Sequence, residues 1–193
     1  MKLPQHAKKV FQGQIFSVYQ WEQELYDGTT ATFEALKRLG TIQIIPTDAE
    51  GNIYLSYEEQ PMRPLSYTFL GGRQEPDEDP SITAQRELKE ETGMESEDWE
   101  LIKTYHSEGK IDWTTYLYVA RNCQKVTEPK LDGGEKIEVK KVSFDDFVKI
   151  VSDESFWGQN IANDILRMRL EPEQLERFRK KLLYAKSRTT NAS

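Results

Sequence analysis

The densest cluster of residues able to do chemistry lies between residues 75 and 100. Eleven carboxylic acids occur in this stretch, opposed by only two basic residues. Three of the acids, Glu87, Glu90 and Glu91, are spaced i, i+3 and i+4, so on a helix their carboxylates project from one face. Three like charges there favour a cation among them, and hard divalent cations such as Mg2+ bind carboxylate oxygens. From composition alone, the alternative is a solvated acidic face.

The sequence around the three glutamates predicts the helix that must hold them. Asp79-Pro80 has the form of an N-cap followed by proline at the first helical position. Gly93 has the form of a C-terminal cap, so we expect a helix from Pro80 to Thr92. Ala84 and Leu88 are four residues apart and form a narrow apolar stripe that would pack against a core.

The residues on both sides of this helix follow a fixed spacing. Gly72 is followed by five residues and Glu78, then by seven residues and the segment Arg86-Glu87-Leu88-Lys89-Glu90-Glu91-Thr92-Gly93-Met94. This is a full match to the Nudix box, and the chain therefore resembles the Nudix hydrolase superfamily. The resemblance implies a loop–helix–loop that binds Mg2+ or Mn2+ and cleaves a diphosphate linkage in a nucleoside diphosphate joined to another moiety. It also implies an α/β fold, the Nudix α/β/α sandwich with a mixed sheet.

The resemblance assigns roles to individual residues of the box. The metal ligands, direct or through water, would be three carboxylates and one backbone carbonyl, those of Glu87, Glu90, Glu91 and Gly71. Glu78 would be an auxiliary carboxylate, and Arg86 would hold the carboxylates in position. Bound metal would neutralise the diphosphate and lower the pKa of a bound water. We therefore expect Glu91 and Arg86 to be catalytic residues.

Outside the box, the likeness is to the ADP-ribose pyrophosphatase branch. That branch has an N-terminal β element that often builds a homodimer, and residues 1–40 would supply it here, with extra helices at the C-terminus. We expect the aromatic side chains of Tyr19, Trp21 and Phe33 to be exposed on this element. The expected partners are a nucleoside diphosphate substrate and a second copy of the chain.

Three substrate-binding residues follow from the same resemblance. Phe33 would stack on adenine, Arg38 would reach the substrate, and Arg63 falls in a segment similar to a glutamine–aromatic–arginine–proline stretch of the branch. The alternative is that Phe33 is a core residue and that both arginines lie on the surface. The sequence departs from the branch at Thr68 and Leu70, where glutamate and proline are usual.

The loop Asp132-Gly133-Gly134-Glu135-Lys136-Ile137-Glu138-Val139 resembles the late loop with which the branch delivers a catalytic glutamate. Glu135 lies beside two glycines and can swing over bound metals, so it is our predicted general base. Glu138 alternates with apolar residues, as a solvent-facing strand residue does, and is the second candidate. Glu108 is the third.

The order of the remaining elements predicts a mixed sheet with helices on its faces. Strands are predicted at 16–22, 31–39, 41–45, 53–57, 101–106, 114–120 and 137–144, further helices at 144–151, 156–170 and 172–186, and a loop at 61–64. We accordingly divide the chain into an N-terminal β element (1–40), a Nudix hydrolase domain (41–170) and a C-terminal helix with a mobile tail (171–193).

Composition excludes several classes of protein. The 193 residues have a net charge of -7, which disfavours binding to a nucleic-acid backbone. Cys123 is the only cysteine, so neither an intramolecular disulfide nor a cysteine zinc site is expected. No apolar run is long enough to span a membrane, and the first eleven residues lack the apolar stretch of a signal peptide. Cytoplasm is the expected compartment.

Competing functions share the same box. We favour hydrolysis of an ADP-ribose-like or nucleotide-sugar diphosphate. The second hypothesis is a house-cleaning nucleoside triphosphate pyrophosphatase, and the third is a non-catalytic nucleotide sensor. Such sensors often lose carboxylates of the box, and none is missing here. An isopentenyl-diphosphate isomerase, which shares the fold, would need a catalytic cysteine, and Cys123 is far from the box in sequence.

Overall fold

The computed structural model describes residues 2–61, 63–131, 133–134 and 136–184. In this part of the chain twelve strands occur, in the order β1 (Lys8–Gln12), β2 (Ser17–Glu24), β3 (Thr30–Lys37), β4 (Thr41–Pro46), β5 (Ile53–Gln60), β6 (Arg63–Thr68), β7 (Met94–Glu95), β8 (Asp98–His106), β9 (Ile111–Asp112), β10 (Thr114–Arg121), β11 (Gln124–Lys125) and β12 (Lys136–Val142). Four helices accompany them, α1 (Pro80–Thr92), α2 (Phe144–Val151), α3 (Gln159–Arg169) and α4 (Pro172–Leu183).

The N-terminal residues form a four-stranded sheet of order β1-β2-β3-β9. β2 and β3 make an antiparallel hairpin in which Trp21 faces Phe33, with ring centroids 6.1 Å apart. Trp21 is only 8% exposed, so the expectation that it is exposed was wrong. The cross-strand aromatic contact explains its burial, because such pairs cover each other's apolar area.

The central strands form two neighbouring sheets. In one, β10 pairs parallel with β4 and antiparallel with β8; in the other, β5 lies between β12 and β6 and pairs antiparallel with both. A bridge between Thr47 and Ile53 connects β4 to β5. The mixed sheet predicted from the order of elements is therefore confirmed.

Alternating side chains of β4 and β10 enter two separate hydrophobic cores. Ile42 and Ile44 pack with Ala84 and Leu88 of α1, and all four are at most 1% exposed. On the opposite face, Ile45 and its neighbours pack with residues of α2, α3 and α4. Helices thus cover both faces of the sheet, which confirms the α/β/α sandwich.

Several predicted boundaries differ from the observed ones. Residues 63 and 64 were predicted to lie in a loop, but β6 begins at Arg63 and includes Pro64. β6 is an edge strand, where a proline costs no ladder hydrogen bond. The third helix begins at Gln159 and not at residue 156, because Phe156 is buried in a turn where its amide donates to the Asp153 carbonyl.

The last helix belongs to the core rather than to an appended segment. Phe178 and Leu182 of α4 are buried in the same cluster as residues of α2 and α3. Arg121 of β10 fixes the end of α4, since its Nε donates to the Lys181 carbonyl at 2.8 Å. The predicted tail, from residue 187, lies outside the described residues.

None of the described helices has both the length and the apolar character needed to cross a lipid bilayer.

Candidate active site

Helix α1 is fixed at both ends by its own sequence. The Asp79 side chain accepts a hydrogen bond from the Ser81 amide at 2.8 Å, and Pro80 occupies the first turn. At the other end Gly93 adopts φ 71° and its amide donates to the Lys89 carbonyl. Both caps were predicted, and they fix the ends of α1. The burial of Ala84 and Leu88 turns the glutamate face of α1 away from the core.

A glycine loop, residues 70–72, lies beside the glutamate face of α1 and pairs with strand β4. The Ile42 amide donates to the Gly72 carbonyl and the Ile44 amide to the Leu70 carbonyl, both at 2.8 Å. Gly71 between them has φ 122°, and a Cβ there would lie 2.4 Å from the Ile42 carbonyl oxygen. Only glycine fits this backbone without strain or a clash.

Two of the three predicted metal-binding glutamates abut the glycine loop. A Cβ on Gly72 would lie 2.6 Å from Oε1 of Glu87, so glycine leaves the room that this carboxylate occupies. Oε2 of Glu91 accepts a hydrogen bond from the Gly71 amide at 2.7 Å, and Glu91 is only 5% exposed. The packing of α1 on β4 thus brings Gly71 and Glu91, which are 20 residues apart in sequence, into contact.

Arg86 links the carboxylates to one another. Its guanidinium nitrogens lie 2.9 Å from Glu87, 2.9 Å from Glu90 and 3.3 Å from Glu78. Burial alone would lower the pKa of Arg86, but the hydrogen bonds and charges of these glutamates outweigh burial and raise it. The hydrogen bond from Arg86, followed by that from Thr83, holds the pKa of Glu78 below its usual value. Both groups are therefore charged at neutral pH.

A cavity of about 530 Å³ opens over the glutamates. Its lining residues are Ile15, Arg38, Gln60, Gly72, Arg73, Glu75, Arg86, Glu87, Glu90, Glu91 and Lys130. Four are acidic and four are basic. Such a mixture suits an anionic ligand that binds together with a cation, since each charge then finds an opposite one.

The donor chemistry of the glutamates fits a hard divalent cation. Carboxylate and carbonyl oxygens are what Mg2+ and Mn2+ bind. Within the described residues, however, no three His, Cys, Asp or Glu side chains are already arranged around one point that would hold an ion. Glu87 and Glu90 instead engage Arg86, and Glu91 engages the Gly71 amide. Binding an ion would require Glu87 and Glu90 to turn from Arg86 toward it.

Comparison with known protein families identifies the family of this chain. The NUDIX domain model matches residues 37–160, which is well over half of the chain.

The chain belongs to the NUDIX family.

Individual relatives agree with the family assignment. An ADP-ribose pyrophosphatase of Bacillus subtilis is 28% identical over 85% of this chain and 90% of its own length. A methanol dehydrogenase activator of Bacillus methanolicus is 28% identical over 86% of this chain and 91% of its own length. A solved structure of an ADP compounds hydrolase superposes with a TM-score of 0.68 at 19% identity, covering 88% of this chain and 94% of that one. The chain is a Nudix hydrolase and is similar to ADP-ribose pyrophosphatases.

The Nudix cavity brings together only some of the predicted substrate residues. Arg38 lines it, but Phe33 and Arg63 are not among its described lining residues. Phe33 packs on Trp21 and lies 4.9 Å from the Lys110 ammonium. Arg63 pairs with Glu58 at 3.4 Å and stacks on the Trp157 ring.

Two of the three candidate bases of the Nudix site, Glu138 and Glu108, are among the described residues. Glu135 lies outside the described residues. Glu138 is exposed on β12 and forms an ion pair with Lys140. Glu108 is exposed in the segment between β8 and β9. None of the residues described as lining the cavity is Glu138 or Glu108.

Two basic residues of the Nudix cavity, Arg73 and Lys130, were not predicted from the sequence. Arg73 directly follows the box glycine, a position that the box leaves free, so only its adjacency to Gly72 could have drawn attention to it. Lys130 is about forty residues beyond Glu90 in sequence and comes close because its amide donates to the Glu90 carbonyl at 2.7 Å. No local pattern signals that contact.

Cys123 is unsuited to the cysteine chemistry of the related isomerases. It is 8% exposed, its Sγ donates to the Ala120 carbonyl, and burial raises the pKa of its thiol to about 12. The thiolate, which is the nucleophilic form, is therefore scarce at neutral pH.

Proposed function

We propose that this chain hydrolyses the diphosphate linkage of a nucleoside diphosphate derivative, either ADP-ribose-like or a nucleotide sugar, with Mg2+ or Mn2+. The observation that supports this most is the placement of Glu87 and Glu91 against the glycine loop of a cavity that also contains four basic residues. Relatives named ADP-ribose pyrophosphatase in Bacillus subtilis and Mycobacterium tuberculosis, each 28% identical, support this choice of substrate class.

The metal would be held by carboxylates and one carbonyl, those of Glu87, Glu90, Glu91 and Gly71. When bound, it supplies charge neutralisation of the diphosphate and a water with a lowered pKa. Arg86 positions the glutamates through its three ion pairs. Glu91 is held most firmly, since it is buried and hydrogen-bonded to the loop, so its oxygens are placed with little freedom.

Substrate binding and proton transfer are assigned to residues around this centre. Arg38 contacts the anionic part of the substrate from the cavity wall. Phe33 stacks on the base and Arg63 assists, and both would do so from a neighbouring copy or after a rearrangement, since neither is described as lining the chain's own cavity. Glu135 takes a proton from the attacking water.

We further propose that the chain is a homodimer joined through the N-terminal β element, residues 1–40. β1 is an edge strand, and edges with unpaired backbone groups pair readily with another copy. Apolar side chains are exposed on and next to it, with Val10 52%, Phe11 59%, Ile15 51% and Phe16 37% accessible. A covered interface would remove this apolar surface from water.

A product-resolved screen tests the function. Purified chain should release AMP from ADP-ribose, or a nucleoside monophosphate from a nucleotide sugar, only when Mg2+ or Mn2+ is present. Glu91→Gln should lower kcat about 100-fold or more while the fold is retained, because the change removes charge without volume. Glu95→Gln is the matched control, since Glu95 is exposed and pairs with Lys89.

Two results of the screen would contradict the proposal. Cleavage of nucleoside triphosphates in preference to every diphosphate compound would favour the house-cleaning function. Tight nucleotide binding without turnover under any metal would favour the sensor.

A further inference from the structure

Arg38 lines the cavity, and the Nε atom of its guanidinium has no hydrogen-bond acceptor. Its Cζ lies 4.5 Å from the centroid of the Trp113 ring and 5.6 Å from that of Phe16. One terminal nitrogen donates weakly to Thr41 Oγ1 at 3.3 Å. The Nε atom is buried and has no acceptor, the one such side-chain atom among the described residues. A buried donor without an acceptor is costly and calls for an explanation.

A second arginine, Arg73, lines the same cavity. Arg73 forms a β-bridge with Thr41, the residue to which Arg38 donates, and both arginines line the cavity. Burial, followed by the charge of Arg73, lowers the pKa of Arg38. The two like charges therefore repel each other.

Neither arginine has an acidic partner among the described residues. Arg86 pairs with the carboxylates of Glu78, Glu87 and Glu90, whereas no salt bridge of Arg38 or Arg73 occurs in the described part of the chain. Two carboxylates of the cavity, Glu87 and Glu90, thus pair with Arg86. An anion between the two guanidiniums would offset the repulsion and accept hydrogen bonds from their terminal nitrogens.

We propose that Arg38 and Arg73 together form a phosphate-binding site, which makes Arg73 a substrate-binding residue. Guanidinium groups match the oxygens of phosphate through paired N–H donors, so two of them can enclose one phosphate group. The identity of that phosphate, as part of a nucleoside diphosphate compound, rests on the proposed function.

The position of the pair says which part of the substrate it holds. Arg73 follows Gly72, the glycine against which the Glu87 carboxylate lies. The phosphate site is therefore adjacent to the glutamates, and the two phosphates of one diphosphate are bonded to a shared oxygen. One phosphate lies between the arginines and the other faces the glutamates. Arg73 then acts mainly on substrate affinity, and so on KM, and only secondarily on kcat.

The test compares two ligands that differ by one phosphate group, AMP and adenosine. Their dissociation constants are measured by titration calorimetry in the presence of Mg2+ on the unmodified chain, on Arg73→Gln and on Arg73→Lys. Arg167→Gln, an exposed change on α3, is the matched control. Circular dichroism on each variant verifies that the fold is retained.

We expect the unmodified chain to bind AMP at least tenfold more tightly than adenosine. Arg73→Gln should weaken AMP binding about tenfold and leave adenosine binding unchanged, because one charge-assisted contact is lost. Arg73→Lys should restore part of the loss, and Arg167→Gln should bind both ligands as the unmodified chain does. Equal affinities of the unmodified chain for AMP and adenosine, or an Arg73→Gln variant with unchanged AMP affinity, would overturn the phosphate site.

This experiment separates the phosphate site from the proposed hydrolysis. AMP has no diphosphate linkage, so its binding does not depend on turnover. A chain that discriminates AMP from adenosine through Arg73 but cleaves no diphosphate compound would overturn the proposed function and leave the phosphate site standing.

Discussion

At the scale of single residues, the assignment of the general base distinguishes Glu135 from Glu138. A base must reach the attacking water directly or through one other group, and it need not do so in the free enzyme. Glu138 is exposed on β12 and forms an ion pair with Lys140. This ion pair disfavours Glu138 as the acceptor of a proton from the attacking water. We therefore predict that Glu135→Gln lowers kcat strongly with little change in metal affinity, while Glu138→Gln has a smaller effect. Steady-state kinetics with a metal titration measures both.

The opposite ranking of the two variants would reverse this assignment. If Glu138→Gln abolishes activity and Glu135→Gln is silent, Glu138 is the base and its pairing with Lys140 is broken during turnover. If neither substitution matters, Glu108 is the next residue to change.

At the scale of elements, the turn between β4 and β5 depends on one carboxylate. Asp48 is 7% exposed, and its side chain accepts hydrogen bonds from the amides of Glu50 and Asn52 and from the Tyr54 hydroxyl. Lys141 of β12 pairs with it at 2.9 Å. Asp48→Asn should lower the free energy of unfolding by about 1–3 kcal/mol at neutral pH, since charge-assisted hydrogen bonds are lost. Chemical denaturation measures the difference.

The pH dependence of this effect has a definite sign. Burial alone would raise the pKa of Asp48, but Lys141, Asn52 and Tyr54 outweigh burial and lower the pKa below its usual value. A lowered pKa stabilises the fold above the unfolded value of about 3.9, and that contribution is lost as the pH falls through the folded pKa. The gap between the unmodified chain and Asp48→Asn should therefore shrink below about pH 4. A constant gap would contradict the charge argument, and Glu154→Gln, an exposed change, should show no gap at any pH.

At the scale of the whole molecule, the N-terminal sheet both completes the cavity and ends in an open edge. β3 pairs with β9 from the central region, and Ile15 and Arg38 line the chain's own cavity. The opposite edge, β1, has a burial pattern that is exposed throughout. We predict a homodimer in solution, and light scattering at micromolar concentration measures its mass. Phe11→Glu should shift the population to monomer by placing a charge in the apolar contact.

The control for this variant is Leu170→Glu, a change at a side chain that is 84% exposed and lies at the end of α3. It should remain as dimeric as the unmodified chain. A monomer for the unmodified chain at micromolar concentration would contradict the homodimer. Phe33 and Arg63 would then reach the substrate only after a rearrangement within the chain.

The sequence by itself determined what is local. The caps of α1 at Asp79 and Gly93, the apolar stripe of Ala84 and Leu88, and the common face of three glutamates are set by spacings within one helix, so they were predictable without tertiary information. The family followed from the same stretch. Tertiary structure alone decided which distant residues meet: Lys130 lies beside Glu90, Arg73 lines the same cavity as Arg38, and Trp21 is buried against Phe33. These contacts depend on strand register and sheet packing, which sum many weak interactions over the whole chain and leave no signature at any single position.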